Sequence, residues 1–309
     1  MHLIRENNIR FPNLGIIFEN LPSGINVFDV KMFFYGMIIG IGMIAGILIA
    51  EKMAKQTGQD TEIYMDFALP AILFSVLCAR IYYVIFSFDE FKYNPMQILN
   101  PRTGGLAIYG GIIGAIVIAI VYSKVKKYPF WLFADTGCVG LITGQIIGRW
   151  GNFFNREAFG KYADGLFAMQ LDLRDVSYDY RMSIPRLQEK YAGKEAAFNR
   201  IMEIRNNIHI VDGVEYIQVH PTFLYESLWN FAVLILLIVY TKHKKFDGEI
   251  ILLYLAGYGL GRVWIEGLRT DQLFLWGTPI AVSQLLSAIL VILSIIILIY
   301  KRRKAKEEK

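Results

Sequence analysis

The chain has 309 residues, of which 55% are hydrophobic and 19% are charged, with a formal net charge of +5. The apolar residues are gathered in long runs without a polar face, which excludes an ordinary soluble protein built from amphipathic helices. Lysines and arginines concentrate in short loops between those runs, so the positive charge indicates orientation in a membrane. We therefore expect a membrane protein and no nucleic-acid partner.

Seven apolar runs approach the length that a membrane-crossing helix needs. A hydrocarbon core of about 30 Å is crossed by roughly 20 residues of helix. The predicted spans, in chain order, are 27–50, 66–88, 104–123, 131–150, 222–241, 249–268 and 279–300. Glycines and charges interrupt the fourth and sixth spans, so the ends of these two are the least sharply defined.

Basic residues follow every odd-numbered span. Lysines at 52–55 follow the first, lysines at 124–127 the third, lysines at 242–245 the fifth, and KRRKAK at 301–306 the seventh. Because cytoplasmic loops are enriched in lysine and arginine, this pattern predicts an external N-terminus and a cytoplasmic C-terminus. The agreement of these loops also supports the count of seven spans.

The polar segments divide the chain into five parts. Residues 1–26 lack the basic-then-apolar order of a cleavable signal peptide, so they are predicted to form an external arm. Residues 27–154 hold spans one to four, 155–219 a small extracytoplasmic head, 220–300 the last three spans, and 301–309 a basic cytoplasmic tail. Within the head, 165–173 resemble a strand and 192–208 a helix. The predicted fold is all-α and polytopic, with seven transmembrane helices and an α+β head.

Glycines recur four residues apart inside the spans, as at 36–40, at 42–46 and along 140–148. In a membrane such pairs let helices approach closely, so most of them are predicted to serve packing. The glycines at 110–111 and 257–259 lie beside polar residues. These two groups are therefore also candidates for a backbone that a substrate approaches.

Cysteine and histidine provide little chemistry in this sequence. Cys78 and Cys138 lie within predicted spans and are expected to be packing residues, neither disulfide-bonded nor nucleophilic. His220 precedes a proline at a helix start, where a structural duty is at least as good an interpretation as proton transfer. No cluster has the spacing of metal ligands, so neither a metal nor another cofactor is expected.

Costly polar residues of four spans fall at one predicted depth, near the outer ends of their helices. They are Tyr109 in span three, Arg149 with Asn152, Asn155 and Glu157 at the end of span four, His220, Tyr225 and Glu226 at the start of span five, and Tyr258, Arg262, Glu266 and Arg269 in span six. Placing an ionisable residue at the edge of a span costs free energy, so the first interpretation of such a residue is that it belongs to a functional site.

Two arginines on facing helices suit a phosphate, because guanidinium binds phosphate oxygens in a planar, bidentate manner. The alternative is an internal pair between Arg262 and Glu266, which are four residues apart and share a helix face. That alternative serves Arg149 less well, since no acidic residue lies at helical spacing within its own span. A phosphate at the outer leaflet most simply belongs to a phospholipid.

Four segments together resemble the prolipoprotein diacylglyceryl transferases. GRWGNFFNREAFG at 148–160 is similar to that family's pattern G-R-x-G-N-F-x-N-x-E, and HPTFLYES at 220–227 to its H-P-S-Q-L-Y-E element. GYGLGRVWIEGLRTD at 257–271 resembles G-Y-G-x-x-R-x-x-x-E-x-x-R-x-x-D, and GGLAIYGGIIGA at 104–115 resembles G-G-x-x-x-H-G-G. The resemblance covers four helices in the family's order and also implies seven spans with an external N-terminus.

The resemblance implies an enzyme of the bacterial cytoplasmic (inner) membrane, with its active site toward the outer leaflet. Such a transferase moves the diacylglyceryl group of phosphatidylglycerol to the lipobox cysteine of a prolipoprotein and releases glycerol phosphate. By motif position, the catalytic residues are Arg149, Arg262, Tyr109 and Glu266. The implied phosphatidylglycerol-binding residues are Arg149, Asn152, Glu157, Tyr225, Glu226, Tyr258, Arg262 and Arg269.

This sequence departs from the family pattern at Tyr109, where the family often has histidine. A phenol with a pKa of about 10 is mostly protonated near neutral pH, unlike an imidazole. Either a nearby arginine activates Tyr109, or the phenol only hydrogen-bonds the substrate and the base lies elsewhere. We favour the second alternative, because a thiol with a pKa of about 8.5 needs little help. Arg156 is a further variation, expected to add a third cation at the mouth of the site.

Two other functions compete with the transferase. A transporter of anions would place polar residues near the membrane midplane and carry a second, inner set, and the sequence has neither. A retinal-binding receptor would need a lysine in the last span, and residues 279–300 contain none. Both alternatives predict no conversion of a lipoprotein substrate.

Overall fold

The computed structural model describes residues 2–5, 7–28, 30–100, 104–275, 278 and 280–307. It contains two compact units, one formed by Met1–Gly46 with Leu141–Lys309 and the other by Ile47–Gly140. The α-helices of the described residues are α1 (Phe34–Gln56), α2 (Glu62–Phe86), α3 (Ile108–Val125), α4 (Phe130–Asn155), α5 (Ile184–Lys190), α6 (Glu195–Arg205), α7 (Thr222–Thr241), α8 (Glu249–Glu266) and α9 (Val282–Glu307).

Six of these helices are long and apolar enough to cross a membrane: α1, α2, α3, α4, α7 and α9. Helix α8 is not among them, because its 18 residues include three charged side chains, Glu249, Arg262 and Glu266. The chain is therefore a predominantly helical, multi-pass membrane protein. Two of the charged residues that exclude α8 from these six helices, Arg262 and Glu266, are also candidate site residues.

The first predicted span begins seven residues too early. Val27 and Val30 pair with each other at the end of an antiparallel hairpin, and α1 begins only at Phe34. Val27, Val30, Met32 and Phe33 are apolar, and apolar content alone does not separate a short strand from the start of a helix. The expectation that residues 27–28 and 30–33 are helical was therefore wrong.

Other predicted ends shift by up to seven residues. The third span was placed from 104, but Gly104 and Gly105 have φ values of +88° and +78°, which a right-handed helix does not allow, and α3 begins at Ile108. Helix α4 continues five residues past the predicted end, to Asn155. Helix α9 continues to Glu307, so most of the predicted tail is helical. The predicted start at Pro279 lies outside the described residues.

Two antiparallel sheets accompany the helices. The first has the order β1-β4-β5, from β1 (His2–Arg5), β4 (Pro22–Val27) and β5 (Val30–Phe33). The second has the order β3-β2-β6-β8-β7, from β2 (Ile9–Phe11), β3 (Ile16–Phe18), β6 (Met169–Asp172), β7 (His209–Val211) and β8 (Val214–Val219). Strand β6 and helix α6 fall inside the segments in which the sequence predicted a strand and a helix.

The five-stranded sheet joins two parts that the sequence treated separately. Ile9 in the N-terminal arm pairs with Leu171 of β6, and both side chains are fully buried. They pack in one apolar core with Leu187, Ile204 and Ile217 from the segment between α4 and α7. Residues 9–18 therefore complete the sheet and the core of that segment and do not form an independent arm.

Several glycines inside the spans serve helix packing, including members of the two groups that were also considered for substrate access. A Cβ at Gly257 or Gly261 would meet the side chains of Val233 and Trp229 on α7, and one at Gly110 would meet α2. Substrate approach at these positions is therefore a wrong interpretation, since protein atoms already fill the space. The 36–40 pair is different, because nothing lies within 4 Å of a Cβ at either glycine.

Both cysteines are free thiols, as expected. Cys138 is buried, and Cys78 packs against Gly114 in the unit Ile47–Gly140. The sulfur of Cys138 donates to the carbonyl of Asp135 in its own helix, and small, largely apolar packing is the usual role of a buried cysteine.

Candidate active site

Glu226 lies at the centre of a buried charged network. Its Oε1 accepts hydrogen bonds from Arg262 Nη1 at 2.8 Å and from Arg269 Nη1 at 3.4 Å, and its Oε2 lies 2.7 Å from Arg149 Nε. The carboxylate therefore contacts three guanidinium groups, contributed by α4, by α8 and by the turn after α8. Only 4% of its side chain is exposed, so its charge is stabilised by these partners and not by water.

Helix direction explains why these residues meet. Helix α7 begins at Thr222, so Glu226 lies in its second turn, whereas Arg149 and Arg262 lie in the last two turns of α4 and α8. The start of α7 therefore lies beside the ends of the two other helices. The sequence prediction that polar residues of separate helices converge at one level holds for these three helices.

Arg262 also binds Glu266, its neighbour one turn along α8. Arg262 Nη2 lies 2.6 Å from Glu266 Oε2, while Ser283 Oγ of α9 donates to Glu266 Oε1 at 2.6 Å. The internal Arg–Glu pair considered as an alternative is thus present in the structure. It exists together with the contact between Arg262 and Glu226, so Arg262 bridges two carboxylates.

The third arginine is neutralised by an aspartate on the same turn. Arg269 donates from Nε and Nη2 to the two carboxylate oxygens of Asp271, at 2.9 and 2.6 Å. Burial alone raises the pKa of Asp271, but the hydrogen bonds and the charge of Arg269 outweigh it and hold that pKa below its usual range. Three arginines and three carboxylates therefore balance one another in the network.

Arg149 keeps the most donors free for a ligand. It is the most exposed of the three arginines, at 20% of its side chain, and only its Nε is engaged with Glu226. In the part of the chain that the structure describes, its two terminal nitrogens have no hydrogen-bond partner. Arg262, in contrast, directs both terminal nitrogens at carboxylates. The two arginines are thus held by one carboxylate but are not equivalent.

Asn152 and Glu157 face each other beyond the network. Asn152 Nδ2 donates to Glu157 Oε1 at 3.0 Å, across the point where α4 ends at Asn155. The chain turns there through positive φ angles at Arg156 and Ala158, of 52° and 55°. The turn therefore begins after Asn155, where α4 ends.

Arg156 was expected at the mouth of the site and lies elsewhere. Its side chain is 2% exposed, its Nε is 3.2 Å from Asp175, and its terminal nitrogens donate to carbonyl oxygens of Asn7, Leu21 and Phe154. It connects the N-terminal strands to the segment after α4. The prediction of a third cation at the site mouth was wrong, because residue order does not tell which way a side chain points.

Gly160, the last residue of the signature, lies where three segments cross. Its backbone N–H donates to the carbonyl of His220, while the next residue, Lys161, donates to Leu268 at 2.8 Å. A Cβ at Gly160 would lie 2.7 Å from the Cβ of His220 and 3.1 Å from the carbonyl oxygen of Leu268. Glycine is required because the start of α7 and the end of α8 approach the backbone so closely.

Tyr225 and Tyr258, two of the three tyrosines of the predicted site, have aromatic and polar neighbours. Tyr225 Oη is 3.2 Å from His220 Nδ1, and the ring of Tyr258 stacks on Tyr254 with centroids 5.6 Å apart. Burial, with a smaller effect of the nearby Lys161, lowers the pKa of His220, so its imidazole is neutral near pH 7. A neutral imidazole can accept a hydrogen bond or a proton, so both interpretations of His220, structural duty and proton transfer, stay predictions.

The sequence reasoning missed Tyr35 and Arg80. Tyr35, in the first turn of α1, packs its ring on Gly151, where an added Cβ would come within 2.8 Å. Arg80 is 7% exposed and donates to carbonyl oxygens of Gln97, Ile98, Asn100, Gly104 and Gly105, so it organises the loop that leads into α3. A charged residue near the end of an apolar run was the available signal for Arg80.

Tyr109 is the second residue of α3 and belongs to the unit Ile47–Gly140. Its loop is the one that Arg80 organises. The other predicted site residues all belong to the unit of Met1–Gly46 and Leu141–Lys309. The assignment of Tyr109 to the site remains a prediction.

The helical fold and the buried network of arginines and carboxylates define a class, an integral membrane protein with an ionic site between its helices. A family model described as Prolipoprotein diacylglyceryl transferase matches residues 22–300. The chain therefore belongs to the prolipoprotein diacylglyceryl transferase family.

Named relatives are similar over nearly the whole chain. The phosphatidylglycerol–prolipoprotein diacylglyceryl transferase of Bacillus cytotoxicus is 39% identical over 296 residues, which are 96% of this chain and 97% of the relative. The protein of the same name from Bacillus anthracis is 40% identical over 278 residues, covering 90% of this chain and 91% of the relative.

Proposed function

We propose that this protein transfers the diacylglyceryl group of phosphatidylglycerol to the lipobox cysteine of prolipoproteins and releases glycerol phosphate. The observation that carries the proposal is the carboxylate of Glu226 held by Arg149, Arg262 and Arg269. All four residues come from the motifs that resemble the family, and the relatives carry the name of this activity. The partners are phosphatidylglycerol, a prolipoprotein lipobox segment and the surrounding lipids.

The reaction is a displacement at a glyceryl carbon. The cysteine sulfur forms a bond to that carbon, the carbon–oxygen bond to the phosphate breaks, and the phosphate oxygen leaves with the electron pair. The thiol proton passes to a base. Cations that hold the departing phosphate stabilise the charge that develops on it, which is the largest contribution that fixed protein groups make to such reactions.

Arg149 binds the phosphate in this proposal, because its terminal nitrogens have no other partner among the described residues. Arg262 fixes Glu226 and Glu266, so it orients the network and presents Arg149. The buried Oε2 atoms of Glu226 and Glu266 lie close to guanidinium nitrogens but receive no aligned hydrogen bond from the described residues. They are available to accept from the glycerol hydroxyls of the headgroup, next to Asn152, Glu157, Tyr225 and Tyr258.

Helix α8 crosses the membrane as the sixth of seven spans, in spite of its charges. The partners of Arg262 and Glu266 neutralise them, which lowers the cost of placing them in a membrane. Basic residues at 242–245 and 301–306 then fall on the cytoplasmic side, with an external N-terminus. The sheet of β2, β3, β6, β8 and β7 lies outside as the head, and the site opens toward the outer leaflet of the cytoplasmic membrane.

The base that takes the thiol proton is a separate question. Tyr109 stands where the family often has histidine, and a phenol is a poor base near neutral pH. We propose that Tyr109 hydrogen-bonds the substrate and that the thiol loses its proton to another acceptor.

The test is transfer in liposomes with the purified full-length protein and a lipobox peptide. Phosphatidylglycerol liposomes should give a peptide heavier by one diacylglyceryl group, and phosphatidylethanolamine liposomes should not. Arg149→Ala and Arg262→Ala should each remove most of the transfer while the protein still inserts in the membrane. No conversion by the wild type contradicts the proposed function, and near-normal conversion by both variants contradicts the phosphate assignment.

A further inference from the structure

A second polar layer lies one helical turn away from the charged network, toward the middles of the same three helices. Gln145 of α4, Asn230 of α7 and Tyr258 of α8 are each four residues from a charged member of the network. Residues four apart share a helix face, and one turn rises about 5.4 Å. The layer therefore continues the site toward the apolar interior.

Asn230 lies on the side of α7 between its contacts with the two other helices. Trp229 Nε1 donates to the carbonyl of Gly257 on α8, and Ser227 Oγ donates to the carbonyl of Ile146 on α4. At 3.6 residues per turn, Asn230 is about 60° from Ser227 and about 100° from Trp229, within the arc that they bound. Its side chain thus faces the space between α4 and α8, as Glu226 does one turn away.

Two polar atoms of this layer have no partner. Asn230 is 2% exposed and its Nδ2 is a buried donor without an acceptor in the described part of the chain. Gln145 donates from Nε2 to Tyr254 Oη at 3.0 Å, but its Oε1 is a buried acceptor without a donor there. Most buried polar groups are hydrogen-bonded, and an unsatisfied one destabilises a protein by about 1–3 kcal/mol. Two unsatisfied atoms in one layer therefore indicate that a ligand supplies their partners.

We propose that Asn230 and Gln145 bind the peptide backbone of the prolipoprotein segment that lies in the membrane beside the lipobox cysteine. The inference rests on the proposed function. Asn230 Nδ2 donates to a backbone carbonyl, and Gln145 Oε1 accepts from a backbone N–H. A peptide supplies both groups, and in lipid its backbone must find partners within protein. A glycerol ester has acceptor oxygens but no donor, so it cannot hydrogen-bond to Gln145 Oε1. The peptide can satisfy both atoms and is the better ligand.

Both residues are positioning residues in this proposal and do not touch the reacting atoms. Their replacement by an apolar residue of similar volume should weaken peptide binding and spare the chemical step. Asn230→Leu should also leave the free protein as stable as before, or more stable, because it removes a buried donor without an acceptor, whereas Gln145→Leu in addition loses the hydrogen bond to Tyr254 Oη. A purely structural role predicts the opposite change in stability.

The test compares wild type, Gln145→Leu and Asn230→Leu, with Leu236→Ala on the exposed side of α7 as control. Each protein is assayed in phosphatidylglycerol liposomes with a lipobox peptide and with a set of analogues in which one amide at a time, before the cysteine, is replaced by an ester. Peptide affinity is also measured in nanodiscs, without turnover. The melting temperature of each variant is recorded.

For the wild type, one ester analogue should raise the KM for peptide about tenfold, as expected for one lost hydrogen bond. Gln145→Leu should raise the KM for the unmodified peptide by a similar factor and make the analogues equivalent. Asn230→Leu should raise it too, with kcat and the KM for phosphatidylglycerol within twofold of wild type. Leu236→Ala should change none of these.

Three results would overturn the inference. Unchanged peptide KM and affinity in both leucine variants would remove the contact. A lower melting temperature in both would assign them a structural role. A changed preference between ester-linked and ether-linked phosphatidylglycerol in Asn230→Leu, with peptide KM unaltered, would assign the layer to the lipid. Wild-type protein that binds the peptide without converting it would contradict the proposed function and leave these binding comparisons intact.

Discussion

Replacing Glu226 with glutamine should destabilise the protein, because the network would lose the one carboxylate that three arginines share. The change preserves shape and an acceptor oxygen but leaves a net positive charge among side chains that are at most 20% exposed. Removing one partner of a buried ion pair typically costs 3–5 kcal/mol. The two closest contacts, at 2.7 and 2.8 Å, place this site in that range, so we expect a loss of about 3 kcal/mol.

Glu157→Gln is the matched control, since Glu157 is exposed and its contact with Asn152 survives the change. Surface substitutions of this kind usually stay within about 0.5 kcal/mol. The free energy of unfolding is measured in mixed micelles by titration with a denaturing detergent, followed by tryptophan fluorescence. Equal stability of the two variants would refute the view that Glu226 neutralises the arginines. Transfer by Glu226→Gln should also fall, by at least about 100-fold, since Arg149 loses its anchor.

Three further changes test other parts of the site. Gly160→Ala should lower both the melting temperature and transfer, because its Cβ would meet His220 and the carbonyl of Leu268; a variant as stable as wild type would show that the crossing segments adapt. Tyr109→Phe should retain most of the transfer rate, measured across pH 6–9 by the liposome assay, whereas a loss of the basic limb of the profile would make the phenol the base. The depressed pKa of Asp271 contributes stability that is present above its unfolded pKa of about 3.9 and is lost as the pH falls through its folded value. The melting temperature of wild type should therefore fall below about pH 4, and Asp271→Asn should flatten that part of the curve.

The apolar runs predicted the helices well, since each long run corresponds to a long helix whose ends differ by at most seven residues. The errors have a common cause. Residues 27–33 are apolar at five of seven positions, and hydrophobicity does not record whether the chain is paired with a neighbouring strand. Strand pairing depends on partners that are distant in sequence. The pairing of Ile9 with Leu171 could not be found from either segment alone.

The candidate site was predictable as a set of residues but not as a set of contacts. The motifs named Arg149, Glu226, Arg262, Glu266 and Arg269, and their positions at helix ends predicted that they would meet. The same reasoning placed Arg156 at the site, although its side chain is buried with Asp175 in a different part of the unit. Side-chain direction depends on the backbone turn at the end of α4, which residue order does not specify.

By itself the sequence determined that the chain crosses a membrane several times and which residues form its charged motifs. Composition and spacing are enough for this, because burial in lipid demands long apolar helices and makes each remaining charge conspicuous. Only the tertiary structure decided that one carboxylate, Glu226, holds three arginines, and that the atoms Asn230 Nδ2 and Gln145 Oε1 are buried without hydrogen-bond partners among the described residues. Such contacts join helices far apart in the chain, and they exist only once those helices have packed.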